Sequence, residues 1–149
     1  MTPQSLTAYL HNEIPLAAAM KLSVATIDGG GISLRAPLDA NINHHDTAFG
    51  GSIATLGILT GWSMLHIALL DEQIDARIVI QQSSVTYYRP ITTDLEATCP
   101  RPDVPGWKLF LETLRRSKTA RIPLRSEFYC IGKIAATHDG LYVATLAKD

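Results

Sequence analysis

Gly51-Ser52-Ile53-Ala54-Thr55-Leu56-Gly57-Ile58-Leu59-Thr60-Gly61-Trp62-Ser63-Met64-Leu65-His66-Ile67-Ala68-Leu69-Leu70 is a run of twenty residues without Asp, Glu, Lys or Arg. Asp46 precedes it and Asp71-Glu72 follows it. As one α-helix it would extend about 30 Å, the width of a small domain. A helix apolar on every side belongs in the core of a domain or in a bilayer. Gly57, Thr60, Gly61 and Ser63 interrupt the run, and His66 lies inside it. Its flanks are acidic, without the Lys/Arg asymmetry or aromatic belts of a membrane edge. The stretch therefore reads as a core helix, and no membrane partner is expected. Ala54, Gly57 and Gly61 recur at helical spacing, a flat stripe over which a β-sheet can curl closely.

Composition sets the bounds. At 149 residues the chain is one domain by length, 1–149, large enough to bury a real core. It is 46% hydrophobic and only 18% charged, which points to further surface hidden in an oligomer. A net charge of −1 argues against nucleic acid as a partner. Cys99 and Cys130 lie far apart without CxxC spacing and read as both buried as free thiols, rather than as metal ligands or a disulfide framework. The N-terminal Met-Thr-Pro-Gln-Ser-Leu has no signal-peptide regions, so a cytoplasmic protein is expected.

Outside the core helix, most of the pattern is strand-like. Thr2-Pro3 reads as an N-cap and first helical proline, opening a helix to about His11 that buries Leu6, Tyr9 and Leu10. Ile14-Pro15-Leu16 breaks it. Lys21–Ile27, Asp28-Gly29-Gly30-Gly31 and the alternating Ile32, Leu34, Ala36 and Leu38 read as a hairpin. Arg77–Arg89 is a long strand with a polar middle, Gln81-Gln82-Ser83-Ser84, either pairing with a second subunit or facing a ligand. Asp94–Cys99 is another strand. Pro100, Pro102, Pro105 and Gly106 read as a rigid loop before an amphipathic helix with Trp107, Phe110, Leu111 and Leu114 on its apolar side. Ile122, Leu124, Phe128 and Cys130 alternate in a further strand, and Asp139-Gly140 reads as a two-residue hairpin turn. The class is α+β. A helix with no polar face to leave in water requires the sheet to wrap it.

Polar groups crowd against the start of the core helix. The first N–H groups of a helix have no intrahelical acceptor and, with the dipole, favour negative charge. They suit the oxygen of a carbonyl becoming an oxyanion in acyl transfer. Gly50 and Gly51 keep Cβ atoms out of the way there, and Asn43, His44, His45 and Asp46 can hold water and move protons. The plainer alternative is that Asp46 or Ser52 caps the helix and Asn43 satisfies loop backbone. No metal is expected, because His44, His45 and Asp46 are adjacent in sequence and do not converge on one ion. His66 reads as a buried, hydrogen-bonded histidine. Tyr87 and Tyr88 read as packing residues, one of them a possible pocket wall.

Pro37-Leu38, Asn43, Phe49-Gly50-Gly51-Ser52, Gly61-Trp62, Ser84-Val85-Thr86-Tyr87-Tyr88-Arg89-Pro90 and Asp94-Leu95 together resemble a hotdog-fold thioesterase. The likeness is nearest to the thioesterase family that includes the C-terminal domain of YiiD-type acetyltransferases, and it covers nearly the whole chain. It implies a curved antiparallel sheet around the central helix, a homodimer or dimer of dimers, and acyl-thioester pockets between subunits. The substrate it implies is an acyl-CoA or acyl-carrier-protein thioester, with no cofactor beyond coenzyme A as part of the substrate. In related phenylacetyl-CoA-type thioesterases the segment reads Asn…His-Gly-Gly, and an Asp on the helix supplies the base. Here Asn43, Gly50 and Gly51 match, Phe49 replaces that His, and Ile58 stands where the Asp is expected. Asp46 is the nearest substitute base, with His44 or His45 as alternatives.

The expected activity is hydrolysis of an acyl thioester, its carbonyl on the N–H groups of Gly51 and Gly50 and water held by Asp46 and Asn43. The alternatives are an acyl-CoA or acyl-carrier binding protein on the same fold, or a hydratase using His45 and Asp46. Arg89, Arg116 and Arg121, with Arg115 and Lys118, are candidates for the coenzyme A phosphates, against the plainer reading of a solvated helix side.

Overall fold

The computed structural model describes residues 1–147. Helix α1 (Pro3–Glu13) opens as the sequence indicates, with Thr2 as N-cap, Pro3 at the first helical position and a reciprocal bond pair between Thr2 and Ser5. Leu6 and Leu10 are buried, whereas Tyr9 is 37% exposed. Tyr9 lies at the rim, stacked on Trp62 and His66 at centroid separations of 6.1 and 5.5 Å. Pro15 ends α1 but also starts a short helix, α2 (Pro15–Ala19), because proline suits a first helical turn.

The hairpin of β1 (Ser23–Asp28) and β2 (Gly31–Ala36) follows, closed by Asp28 Oδ1 accepting from the N–H groups of Gly30 and Gly31. The core helix is α3 (Gly50–Asp71). After it come β3 (Ala76–Tyr87), β4 (Leu95–Pro100), α4 (Val104–Ser117), β5 (Thr119–Cys130) and β6 (Lys133–Leu146). Among the described residues the sheet has six strands, all antiparallel, in the order β1-β2-β4-β5-β6-β3. Helix α3 touches β2, β3, β4, β5 and β6, so the sheet wraps it. Leu56, Met64, Leu65 and Leu69 are wholly or almost wholly buried against that sheet. Among the described residues α3 is also the one helix long and apolar enough to cross a membrane, and it is consumed inside the domain.

Two turn readings are corrected. Asp139-Gly140 is no turn; it lies in the middle of β6, which runs unbroken from Lys133 to Leu146. Asp139 faces Arg125 of β5 through two bonds of 2.8 and 3.0 Å. A Cβ on Gly140 would come within 2.6 Å of the Tyr142 ring, so the glycine serves packing. The β5–β6 reversal is Ile131-Gly132, both at positive φ. Pro105 and Gly106 also belong to the first turn of α4 rather than to the loop before it.

The glycine stripe does what its spacing suggests. A Cβ on Gly57 would stand 2.6 Å from Cβ of His138, and one on Gly61 would run into the Tyr142 hydroxyl. Both of those residues lie on β6, which therefore approaches the helix backbone directly. Cys99 and Cys130 are buried free thiols. Strand β3 is an edge of the sheet, bonded among the described residues only to β6, and Gln81–Ser84 on it are exposed.

Candidate functional site

The approach to α3 is fixed by backbone bonds. Asn41 C=O accepts from Phe49 N–H at 2.8 Å, and Ile91 C=O accepts from Ala48 N–H at 2.9 Å. Phe49 is the N-cap, in extended conformation, and no side chain caps the helix. The capping reading of Asp46 and Ser52 is therefore not what the structure shows. Phe49 C=O takes the N–H groups of Ser52 and Ile53, while those of Gly50 and Gly51 have no acceptor among the described residues. Two adjacent donors at the positive end of a 22-residue helix are left for a ligand.

Residues 43–47 form a tight loop pinned by Asn43. Its Oδ1 accepts from the N–H groups of His45 and Thr47, and its Nδ2 donates to Thr47 Oγ1. The loop-backbone reading of Asn43 is thus the one seen, and one N–H of its amide remains free. His44, His45 and Asp46 are exposed at the loop tip, with Asp46 at φ 61° and the two imidazoles 3.8 Å apart. The open space above Gly51 is occupied by the exposed ring of Phe49, which a Cβ there would strike. Gly50 meets the Tyr87 hydroxyl, which donates to Gly50 C=O at 2.8 Å and ties the end of β3 to the helix start. A cleft of about 360 Å³ lies beside this point, lined by Leu16, Met20, Asn41, Phe49, Gly51 and Thr55.

Several polar groups near α3 were invisible to sequence reasoning. Asn41 is buried, its Nδ2 donating to the carbonyls of Met20 and Pro37 and its Oδ1 unpartnered among the described residues. Tyr142 O–H donates to Ile58 C=O at 2.8 Å, and Ser126 O–H donates to Gly57 C=O at 3.2 Å. His138 is fully buried, its Nε2 bonded to Ser83 Oγ at 2.8 Å and its Nδ1 without a partner among the described residues. Burial lowers its pKa, partly opposed by Asp139. His66 is likewise held below its ordinary value by burial, but its Nε2 has no hydrogen-bond partner among the described residues. It stacks on Trp62 at 4.8 Å instead. Burial also pushes the Cys99 thiol up to about 12, leaving it an unreactive packing residue.

The candidate arginines are not brought together. Arg121 lies opposite Val143 and donates to Gln81 Oε1, whereas Arg89 N–H bonds to Ala135 C=O. Those β6 positions are separated by roughly 27 Å of strand. Arg116 is on the exposed side of the last turn of α4.

The wrapped helix has counterparts in known proteins. Residues 3–146 match the family described as "Putative thioesterase (yiiD_Cterm)". The chain belongs to this family. Among solved structures, a putative thioesterase from Shewanella oneidensis is 34% identical, with 96% of each chain covered and a TM-score of 0.87. A protein of unknown function from Chlorobaculum tepidum is 26% identical over 98% of each chain, at a TM-score of 0.93. A Pseudomonas aeruginosa protein described as a "Probable Thioesterase" is 19% identical over 97% of each chain, at 0.74, a likeness that shows the fold alone. The YiiD C-terminal thioesterase family thus accounts for the architecture, a hotdog fold of six antiparallel strands around one long helix.

Proposed function

We propose that the protein is an acyl-thioester hydrolase working at the start of α3. The observation that carries this reading is the pair of unpartnered N–H groups on Gly50 and Gly51, beside an apolar cleft, in a thioesterase family. The thioester carbonyl oxygen sits on those donors, which stabilise the negative charge it gains. The acyl chain lies against Leu16, Met20 and Phe49. A water held by the Asp46 carboxylate and the free N–H of Asn43 attacks the carbonyl carbon. Its oxygen forms the new C–O bond, Asp46 takes the proton, the C–S bond breaks, and the proton passes to the departing thiolate. The products are a carboxylic acid and a free thiol, and no cofactor is used.

The catalytic unit is a homodimer acting in the cytoplasm. A twelve-residue edge strand with one side of its backbone unpaired is a ready surface for a second copy, and β3 is such a strand. Stable obligate interfaces bury about 2,000 Å² or more. A monomer in sedimentation at micromolar concentration would contradict this part.

A second reading, a binding protein for the same ligand, is favoured by one observation: α3 carries no carboxylate between Gly51 and Leu70, and Asp46 is fully on the loop exterior. A hydrolysis screen over short, medium, long and aromatic acyl-CoAs separates the two. Release of thiol supports the hydrolase; saturable binding with no thiol release supports the binder.

A further inference from the structure

We infer that Ser83 and His138 form a nucleophile–base dyad on the inner face of β3, a second site that takes small apolar acyl groups from activated esters and thioesters. It lies apart from the start of α3 and shares no residue with the site described there. Ser83 Oγ and His138 Nε2 are 2.8 Å apart. Ser83 is exposed on an edge strand, whereas the His138 behind it has no exposed surface. A base within hydrogen-bond reach of an accessible hydroxyl is the arrangement that activates a serine.

Packing alone does not account for His138. With Nδ1 unpartnered among the described residues, the ring is buried with half of its polar capacity unmet. An apolar side chain in its place would avoid that cost. The surroundings instead let the imidazole reach Ser83. A Cβ on Gly57 would stand 2.6 Å from His138 Cβ, and one on Gly140, which pairs with Ser83, would stand 3.0 Å from its Cε1. Both glycines therefore leave room for the ring. Burial lowers its pKa, against the opposing charge of Asp139, so the neutral form with a lone pair to offer is favoured. No carboxylate holds Nδ1 among the described residues, and the pair is accordingly matched to acyl groups whose leaving group departs readily.

Successive residues of a strand face opposite sides. Ser83, Val85 and Tyr87 thus share the face of β3 turned to α3, where Tyr87 reaches Gly50 and Ser83 reaches His138. Four residues, roughly 13 Å of strand, separate Ser83 from Tyr87. Within one chain a carbonyl held on Gly50 and Gly51 is beyond the reach of Ser83. Ile80 and Val85, half-buried and paired with Tyr142 and His138, flank the hydroxyl with apolar surface. A second copy paired along β3 would occupy its backbone edge, while the side chains stand roughly perpendicular to that plane. In the reaction Ser83 Oγ bonds to the carbonyl carbon and its proton passes to His138 Nε2. The bond to the aryloxide or thiolate breaks, and that group leaves with the proton. Water then attacks the acyl-Ser83 ester, His138 takes its proton and returns it to Ser83 Oγ, and the carboxylic acid is released.

Phenylmethanesulfonyl fluoride tests the dyad, because its serine adduct is stable and forms with the same proton transfer. The full wild-type chain is treated with it and the adduct located by peptide mass spectrometry. Ser84 serves as the internal comparison, since it pairs with Asp139 and faces the other side of the strand. Labelling of Ser83 is expected about 100-fold or more faster than of Ser84, with hydrolysis of p-nitrophenyl acetate lost as the label accumulates. His138→Gln, shown to be folded by circular dichroism, should lose both. Nitrogen NMR of the wild type, which needs no variant, should find the ring proton of His138 on Nδ1. Labelling of Ser83 no faster than of Ser84, ester hydrolysis undiminished by the label, labelling retained in a folded His138→Gln protein, or a ring protonated on Nε2 would each overturn the proposal. None of these readouts requires thioester turnover at the start of α3, so the two sites stand or fall separately.

Discussion

Two regions of α3 use glycine in opposite ways. At Gly57 and Gly61 the missing side chains let β6 close in, and His138 and Tyr142 fill the space completely. There the backbone carbonyls of Gly57 and Ile58 are also bonded, to Ser126 and Tyr142. At Gly50 and Gly51, two turns earlier, the sheet reaches the helix only through the Tyr87 side chain, and the N–H groups are unpaired among the described residues. In the packed region those carbonyls are paired, as a buried backbone must be. The open one is unsatisfied on a surface where a ligand can reach it. The same residue type therefore marks a closely packed part of the helix and its open start, and neighbouring structure decides which.

The largest expected effect breaks the packed region. Gly57→Val forces a branched side chain into His138, whose Cβ and Cγ would lie 2.6 and 2.7 Å from the new Cβ. A loss of about 3 kcal/mol is expected, read as a drop in midpoint on chemical denaturation. The next concerns the open region alone. Asp46→Asn removes a proton acceptor while keeping the shape, and Asn tolerates the positive φ of that position. Turnover should fall about 100-fold or more with the thermal midpoint unchanged. Full turnover would move the base to His44, His45 or a water on Asn43.

Smaller effects sharpen the contrast. Tyr142→Phe removes one buried bond to Ile58 C=O and should cost about 1 kcal/mol without touching the helix start. Acidification acts on the packed side as well. His138 and His66 have folded pKa values below the unfolded value near 6.5. The unfolded chain therefore binds more protons as pH falls through that value, and stability declines in the same window. Thermal midpoints should drop from pH 7 towards pH 5, and His138→Gln should flatten the slope.

What the sequence shows and what it hides divide along the same line. The core helix was legible because twenty residues without charge leave no solvated face, and the curled sheet follows from that. Loop 43–49 was legible because its polar residues are contiguous with the glycines. Ser83 with His138, and Tyr87 with Gly50, were not, because they meet across 55 and 37 residues, the first pair through the register of β3 on β6 and the second through the packing of β3 on α3. Asp139-Gly140 misled for a related reason. Its local preference for a turn is overridden by pairing along β5 and by the Tyr142 ring, which needs the space. Ile131-Gly132 makes the real turn with a less telling pair of residues.

The central claim is that the free N–H groups at the start of α3 hold the thioester oxygen, and Gly50→Pro tests it most directly. Position 50 is the first of the helix, where proline is favoured, and Phe49 before it is already extended, as a residue preceding proline must be. A Cβ there meets the hydroxyl and ring edge of Tyr87, no closer than an ordinary 3.4 Å. The substitution thus deletes one N–H and little else. The account predicts an unchanged or slightly raised thermal midpoint with thioester turnover reduced about 100- to 1,000-fold. A folded Gly50→Pro protein that hydrolyses thioesters at the wild-type rate would contradict it.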